Sequence, residues 1–237
     1  MTKSFKPISC ENCQSRDKGI FCDLNNTELA TIGQNKVMND YKKGQTVFFQ
    51  GNPPFGLYCV NSGKIKVSKL GNDGKESIIR IAGPGDVLGH RSLFSNEKSS
   101  ATATVLEDAA ICFIDKKFIY KAIAEKPSIS LHLIEKLSRD MGKAEDRSTS
   151  MAQKNVRERL AELLLMLKSS YGIQENKRWR LDIKLTREEM ASMIGTASET
   201  IIRFISEFRD EGLIDQEGKT IFLLNEEGLI ETANLSY

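Results

Sequence analysis

Three of the five cysteines fall in the first 22 residues, as Cys10-x2-Cys13 followed by Cys22, and another, Cys112, stands in the run AAICFID. Thiolates so spaced gather on one loop, and four of them fit an iron–sulfur cluster or a structural zinc. Without metal, the same set serves thiol redox sensing. An odd number crowded at one end argues for such chemistry over a disulfide framework. Cys112 reads equally as a buried small hydrophobe, and Cys59, alternating with Leu57 in GLYCVNSG, reads as core.

A second constellation lies near the other end. From about Ser198 to Asp210, Ile201, Phe204, Ile205 and Phe208 recur at i, i+3, i+4 and i+7 and bury one helical face. That leaves Ser198, Glu199, Ile202 and Arg203 on the opposite face, a set whose chemistry matches base edges. Arg203 can fork onto guanine O6/N7 or reach a phosphate, Glu199 can accept from cytosine N4, and Ile202 can cover a thymine methyl. Ser198 and Thr200 are short donors for phosphate or base edges. Glu199 and Arg203 at i, i+4 also read as a surface ion pair, which leaves an exposed Ile202 without a reason.

Such residues need a frame. Thr186 to Ile194 opens with Thr-x-x-Glu (Thr186, Glu189), a capping box, and Gly195 stops it, so two short helices meet at a tight turn. Met190, Met193 and Ile194 supply the packing partner. The segment DQEGKTIFLLN (215–225) reads as a hairpin turning at Gly218, so the pair is a winged helix-turn-helix. Its second helix presents its N-terminal residues to the major groove. Thr186 at the first helix's N-terminus and Arg187, with Lys184, join the DNA-facing set through phosphates.

Upstream, Val156, Leu160, Leu163, Leu164 and Leu167 form one apolar face, ended by Gly172. Before it, Ile134, Leu137, Met141, Ala144, Ser148 and Met151 trace a thin seam on a polar helix of over six turns. A seam that narrow suits a two-stranded coiled coil and hence self-association; a stripe lying on the protein's own surface is normally wider. Gly142 is a local weak point on that helix. Between Val37 and Ile114, glycines separate short β-rich runs such as TVFF, LYCV, KIKVSKL, ESIIRIA and ATATVL, which predicts an antiparallel barrel or sandwich. The organisation is a cysteine-bearing segment (1–28), a β-roll (29–126), a dimerisation helix (127–152) and a winged helix (153–237).

With 34 Lys+Arg against 32 Asp+Glu in 237 residues, a net +2, the chain is neither a disordered polyelectrolyte nor a histone-like basic protein. Residues 152–237 carry 12 Lys+Arg against 15 Asp+Glu, a net −3, so phosphate attraction falls to local positives and helix N-termini. That acidity is what a rival reading, a ligand-binding adaptor acting by protein contact, would use. No run reaches the ~18 apolar residues of a membrane span, and the first 20 residues lack the apolar stretch of a secretory signal. The expected compartment is the cytoplasm, with no membrane partner. Two histidines, His90 and His132, in different regions and no nucleophile motif leave little from which to assemble an enzyme.

Over nearly its whole length the chain resembles Crp/Fnr-family transcription regulators. The resemblance is carried by GDVLG (85–89) with the glycine-punctuated barrel, the long helix, and IKLTREEMASMIGTASETIIRFISEFRDEGLI (183–214). It implies an α+β protein: a cyclic-nucleotide-binding-like β-roll, a long dimerising helix, and a C-terminal winged helix reading a pseudo-palindromic duplex as a homodimer, with RNA polymerase a further partner. In the catabolite-activator branch an Arg precedes the Glu of the reading helix; here Ser198 does, so the operator is expected to differ at one base pair.

In the nucleotide-binding branch a Gly-Glu-Leu segment and an Arg-Ser/Thr-Ala segment hold ribose and cyclic phosphate. The matching residues here are Gly89-His90-Arg91 and Ser99-Ser100-Ala101, so His90 and Ser99 replace the ribose-binding Glu and the phosphate-binding Arg. A buried phosphate without its bidentate Arg loses its strongest partner, which argues against cyclic AMP. Arg91 and His90 remain candidates for another anion. Cys10, Cys13, Cys22 and Cys112 are similar to the cysteines of the oxygen-sensing branch, although the eight residues between Cys13 and Cys22 exceed that branch's usual spacing.

Overall fold

The computed structural model describes residues 8–235. It forms two compact units, with the boundary between Met141 and Gly142.

The first unit opens with a tight 3-10 turn at Arg16–Lys18 and α1 (Asn26–Gln34). The side chain of Asn25 accepts from the Glu28 N–H while Glu28 reaches back to the Asn25 N–H, so α1 starts on a closed capping box. The strands follow as β1 (Lys36–Tyr41), β2 (Thr46–Phe48), β3 (Gly56–Leu70), β4 (Glu76–Ala82), β5 (Val87–Leu88) and, after α2 (His90–Ser95), β6 (Thr102–Asp115). They pair antiparallel in the order β1-β6-β3-β4, with β2 on β6 and β5 on β3. α3 (Lys116–Glu125) follows, and α4 (Ser128–Gln153) starts in this unit and crosses the boundary at Met141.

The long strands β3 and β6 coil through repeated register shifts between Val60 and Ile65. Gly63 makes this possible: its φ is +86°, and a Cβ there would sit 2.5 Å from the Ala109 Cβ. Inside the roll, Val60, Ile65, Leu88, Val105 and Ile111 form one core. A second core joins Ile20, Leu24, Leu29 and Ile32 of the N-terminal segment to Leu57, Val87 and Ile114 of the strands and Ile119, Ile129 and Leu133 of the helices. The cysteine-bearing segment is therefore built into the same core as the roll.

α4 has two faces. Ile129 and Leu133 are buried, whereas Ile134 (57% exposed), Leu137 and Met141 (62%) face outward. Ala144 and Ser148 are exposed as well, but Met151 is half-buried against Gly195.

The second unit contains α5 (Val156–Tyr171), β7 (Gly172–Glu175), β8 (Arg178–Leu181), α6 (Arg187–Ile194), α7 (Ser198–Asp210), β9 (Ile214–Glu217), β10 (Thr220–Leu223) and α8 (Glu226–Thr232), with the strands ordered β7-β8-β10-β9. Leu160, Leu164, Leu167, Ile201, Phe208 and Leu229 are sealed in its core. The β7–β8 hairpin and α8 go beyond the sequence reading. Each strand is only four residues long, too short for alternation to show. α8 carries Gly228 inside it, and the Asn225 side chain caps its start by accepting from the Gly228 N–H.

Candidate functional site

The reading helix is held by its turn and its neighbour. Thr186 Oγ1 accepts from the Glu189 N–H at 3.1 Å and Glu189 returns the bond, so α6 begins at a closed box. Gly195 adopts φ +67° at its end, the left-handed conformation that glycine tolerates and that turns the chain into α7. Ile201, Ile205 and Phe208 of α7 bury against the core. Arg157 of α5 stacks over Phe208 at 4.8 Å and bonds Glu207 at 3.1 Å and Glu211, fixing the far end of the helix.

With that face anchored, Glu199, Ile202 and Arg203 stand in solvent, Ile202 56% exposed, while Ser198 and Thr200 are half-buried. Arg203 lies 3.9 Å from Glu207 and 4.7 Å over the Phe204 ring. An exposed ion pair of this length contributes little, so the guanidinium keeps donors facing solvent. Arg187 is half-buried and donates to Gln216 of β9. Burial lowers the pKa of its guanidinium. Here the chain places Arg187 as a brace between α6 and the wing, and Thr186 as a cap.

The cysteines are sorted differently from their sequence order. Cys10, Cys13, Cys59 and Cys112 line one cavity of about 60 Å³. Cys59 and Cys112 are directly opposite in the β3–β6 ladder, so their side chains share a sheet face. Cys10 and Cys13 come from the segment before α1. Cys13 Sγ accepts from Asn61 Nδ2 at 3.2 Å and lies 3.1 Å from Ser15 Oγ. Burial pushes the Cys10, Cys59 and Cys112 thiols up, opposed in part by the Lys36 ammonium, which also lines the cavity.

Cys22 is not in this group. The chain turns at Arg16–Lys18, buries Ile20 and Leu24, and sets Cys22 Sγ 3.6 Å from His132 Nε2 on α4. Alternation in GLYCVNSG says only that Cys59 points inward. What it faces depends on the pairing with a strand 53 residues away.

The residues at the nucleotide-site positions also divide. Gly89, at φ +82°, begins α2, and a Cβ there would be 3.1 Å from the Gly56 carbonyl oxygen. His90 is buried, with Nε2 3.4 Å from Asp140 Oδ2 on α4. Lys136 joins Asp140 at 3.3 Å and Asp86 at 3.1 Å, and Arg80 lies 3.7 Å from Asp86. Burial alone would raise the Asp140 carboxyl, but the His90 hydrogen bond and the Lys136 and Arg80 charges hold it below the ordinary range. Arg91 donates to Ser100 Oγ at 2.8 Å, while the Ser99 backbone is taken by Gly51 and Asn52. His90 is thus committed to the long helix, apart from the Arg91–Ser100 pair.

Comparison with known proteins matches residues 38–126 to the cyclic nucleotide-binding domain and residues 158–232 to the Crp-like helix-turn-helix domain. The chain is 30% identical over 215 residues to a CRP-like cAMP-activated global transcriptional regulator of Mycobacterium tuberculosis, covering 91% of this chain and 96% of that protein. It is 26% identical over 230 residues to the fumarate and nitrate reduction regulatory protein of Vibrio cholerae, covering 97% and 92%. The solved structure of FixK2 from Bradyrhizobium japonicum shares the fold at a TM-score of 0.75 and 22% identity, over 85% of this chain and 99% of that one. Two matched domains, flanking a long helix and joined in one relative over almost the full length, mean that the chain belongs to the Crp/Fnr family of DNA-binding transcription regulators.

Proposed function

We propose that this regulator binds a pseudo-palindromic operator as a homodimer and that thiol-based chemistry in the four-cysteine cavity, not cyclic AMP, sets its DNA affinity. The observation that carries the reading is the convergence of Cys10, Cys13, Cys59 and Cys112 on one cavity. Homodimerisation is supported by the outward Ile134, Leu137 and Met141 of α4, an unpartnered apolar stripe of coiled-coil width. Two reading helices so paired address half-sites about one turn of duplex apart, and RNA polymerase is the partner such a regulator acts on.

The donor set fits an iron–sulfur cluster better than a single ion. A tetrahedral zinc with Zn–S near 2.3 Å draws its thiolates to about 3.8 Å of one another. Among the described residues, the trio of metal-type donors within 4.8 Å is Cys22, Asp23 and His132, and it contains none of the four cavity thiols. A polynuclear core spreads its thiolates further apart. Cys10, Cys13, Cys59 and Cys112 would hold it; Lys36 would offset their negative charge, and the apolar walls from Ile20, Leu29, Ile32 and Ile114 would keep water out. Bound there, such a cluster supplies redox and oxygen sensitivity.

Cyclic AMP is disfavoured by what His90 does. The residue in the ribose-binding place is buried with its Nε2 turned to Asp140, and Ser99 offers a phosphate no guanidinium.

The test is purification without oxygen, followed by iron, sulfide and zinc analysis, a visible spectrum, and operator binding before and after air. Iron and sulfide that disappear in Cys59→Ser and Cys112→Ser, with an air-dependent change in DNA affinity, are expected. A colourless, metal-free dimer whose DNA binding ignores oxygen and thiol reagents would rule the reading out.

A further inference from the structure

Outside the cavity, a second group of metal-type donors is found among the described residues. Cys22 and Asp23 lie between the buried Ile20 and Leu24, and they meet His132, the neighbour of buried Leu133 on α4. The Cys22 Sγ to His132 Nε2 distance is 3.6 Å and the Asp23 Oδ1 to His132 Nε2 distance is 3.3 Å. All three donor atoms fall within 4.8 Å of one another.

Hydrogen bonding accounts for one of these contacts at a time. A bare Nε2 can accept from the Cys22 thiol, or a protonated Nε2 can donate to the Asp23 carboxylate, whose oxygen lies just beyond the usual ~2.7–3.2 Å of N–H···O bonds. A tetrahedral ion accounts for both lengths at once. With metal–sulfur near 2.3 Å, metal–nitrogen near 2.0–2.1 Å and metal–oxygen near 2.0–2.2 Å, the tetrahedron's edges are about 3.6 Å for S···N and about 3.3–3.4 Å for N···O.

The other ring nitrogen is provided for. His132 Nδ1 faces Glu135 Oε2 at 3.7 Å, and Arg139 lies 3.7 Å from the same oxygen. Glu135 is thus a carboxylate near the far nitrogen, outside hydrogen-bond distance here, where a metal-bound histidine commonly has its supporting acceptor. His132 and Cys22 are half-buried and Asp23 is exposed, so an ion can enter and a fourth position stays open to water.

We propose that Cys22, Asp23 and His132 form a mononuclear zinc-type site, separate from the four-cysteine cavity, that staples the N-terminal segment to α4. Thiolate and imidazole together select zinc over magnesium or calcium. Binding releases the thiol proton of Cys22 to water. The staple spans 110 residues of sequence and joins the strip that carries Cys10 and Cys13 to the helix whose outer face bears Ile134 and Leu137. Metal supply would thereby act on the long helix.

The experiment is a cobalt(II) titration of the full-length protein, chelator-treated and kept reduced and anaerobic, with zinc competition. One tight cobalt per chain is expected, with a single-thiolate charge-transfer band, tetrahedral visible bands, and displacement by zinc. His132→Gln and Asp23→Asn should weaken zinc binding more than tenfold, and Glu135→Gln by less than either. Cys10→Ser should leave the cobalt spectrum intact. Iron and sulfide content separates this site from the cavity: His132→Gln should leave both unchanged. The proposal is overturned if His132→Gln and Cys22→Ser bind cobalt as the parent does. It is also overturned if either variant loses iron and sulfide, which would place Cys22 in the cluster.

Discussion

The reading helix and the cysteine cavity place reactive side chains by opposite means. On α7, one run of 13 residues does everything: apolar positions three and four apart bury Ile201, Ile205 and Phe208, and the remaining angle is left to Glu199, Ile202 and Arg203. In the cavity, no two contributors beyond Cys10 and Cys13 are close in sequence. Cys59 and Cys112 meet through strand register, and the N-terminal pair arrives only because Ile20, Leu29 and Ile32 dock on the roll. An exposed helical face can be specified locally, whereas a buried cavity depends on the whole unit folding.

The largest effect separating the two regions comes from removing an anchor. Phe208 is fully buried and stacked by Arg157, so Phe208→Ala should destabilise the C-terminal unit by about 3–5 kcal/mol. Denaturation followed by Trp179 fluorescence in that unit should register the loss, while alkylation rates of Cys59 and Cys112 stay unchanged. If both regions loosen together, the comparison breaks.

Next comes a change that spares the fold. Arg203→Ala removes an exposed side chain and should cost ~1–3 kcal/mol of discrimination at one base pair in each half-site, with unfolding midpoints unmoved. A base-substitution binding series measures it, and undiminished discrimination would take Arg203 off the reading face.

The smallest effect is confined to alkaline buffer. Burial raises the Cys10, Cys59 and Cys112 thiols above their ordinary value of 9.0. In the metal-free protein, the buried thiols keep their protons while the unfolded ones ionise. Their contribution to stability is whole below about pH 9 and declines as pH rises through the folded values. Denaturant midpoints across pH 7–10.5 should therefore be flat and then fall, with a shallower fall in Cys59→Ala. An equal decline in that variant would mean that the cavity thiols are not the cause.

What was legible in the sequence follows the same division. The glycine-punctuated roll, the long helix and the winged helix-turn-helix are written in period and capping. Thr186, Glu189 and Gly195 alone fix where α6 starts and stops. The cysteines could be recognised as chemistry but not sorted, since spacing along the chain put Cys22 with Cys10 and Cys13, and packing sends it to His132. His90 shows the same limit. Its position relative to the family pattern was readable, but its bond to Asp140, 50 residues on, was not. Met151 continues the seam by counting, yet it turns to Gly195 because the second unit begins before the helix ends.

Gly142 sits where α4 passes from one compact unit to the other, and a methyl group built on it meets nothing within 4 Å. An alanine there would fit without displacing an atom and would favour the helix by up to ~1 kcal/mol. The helix that runs from the first unit into the second therefore has a soft link at midspan that crowding does not require, and a single carbon atom is enough to harden it.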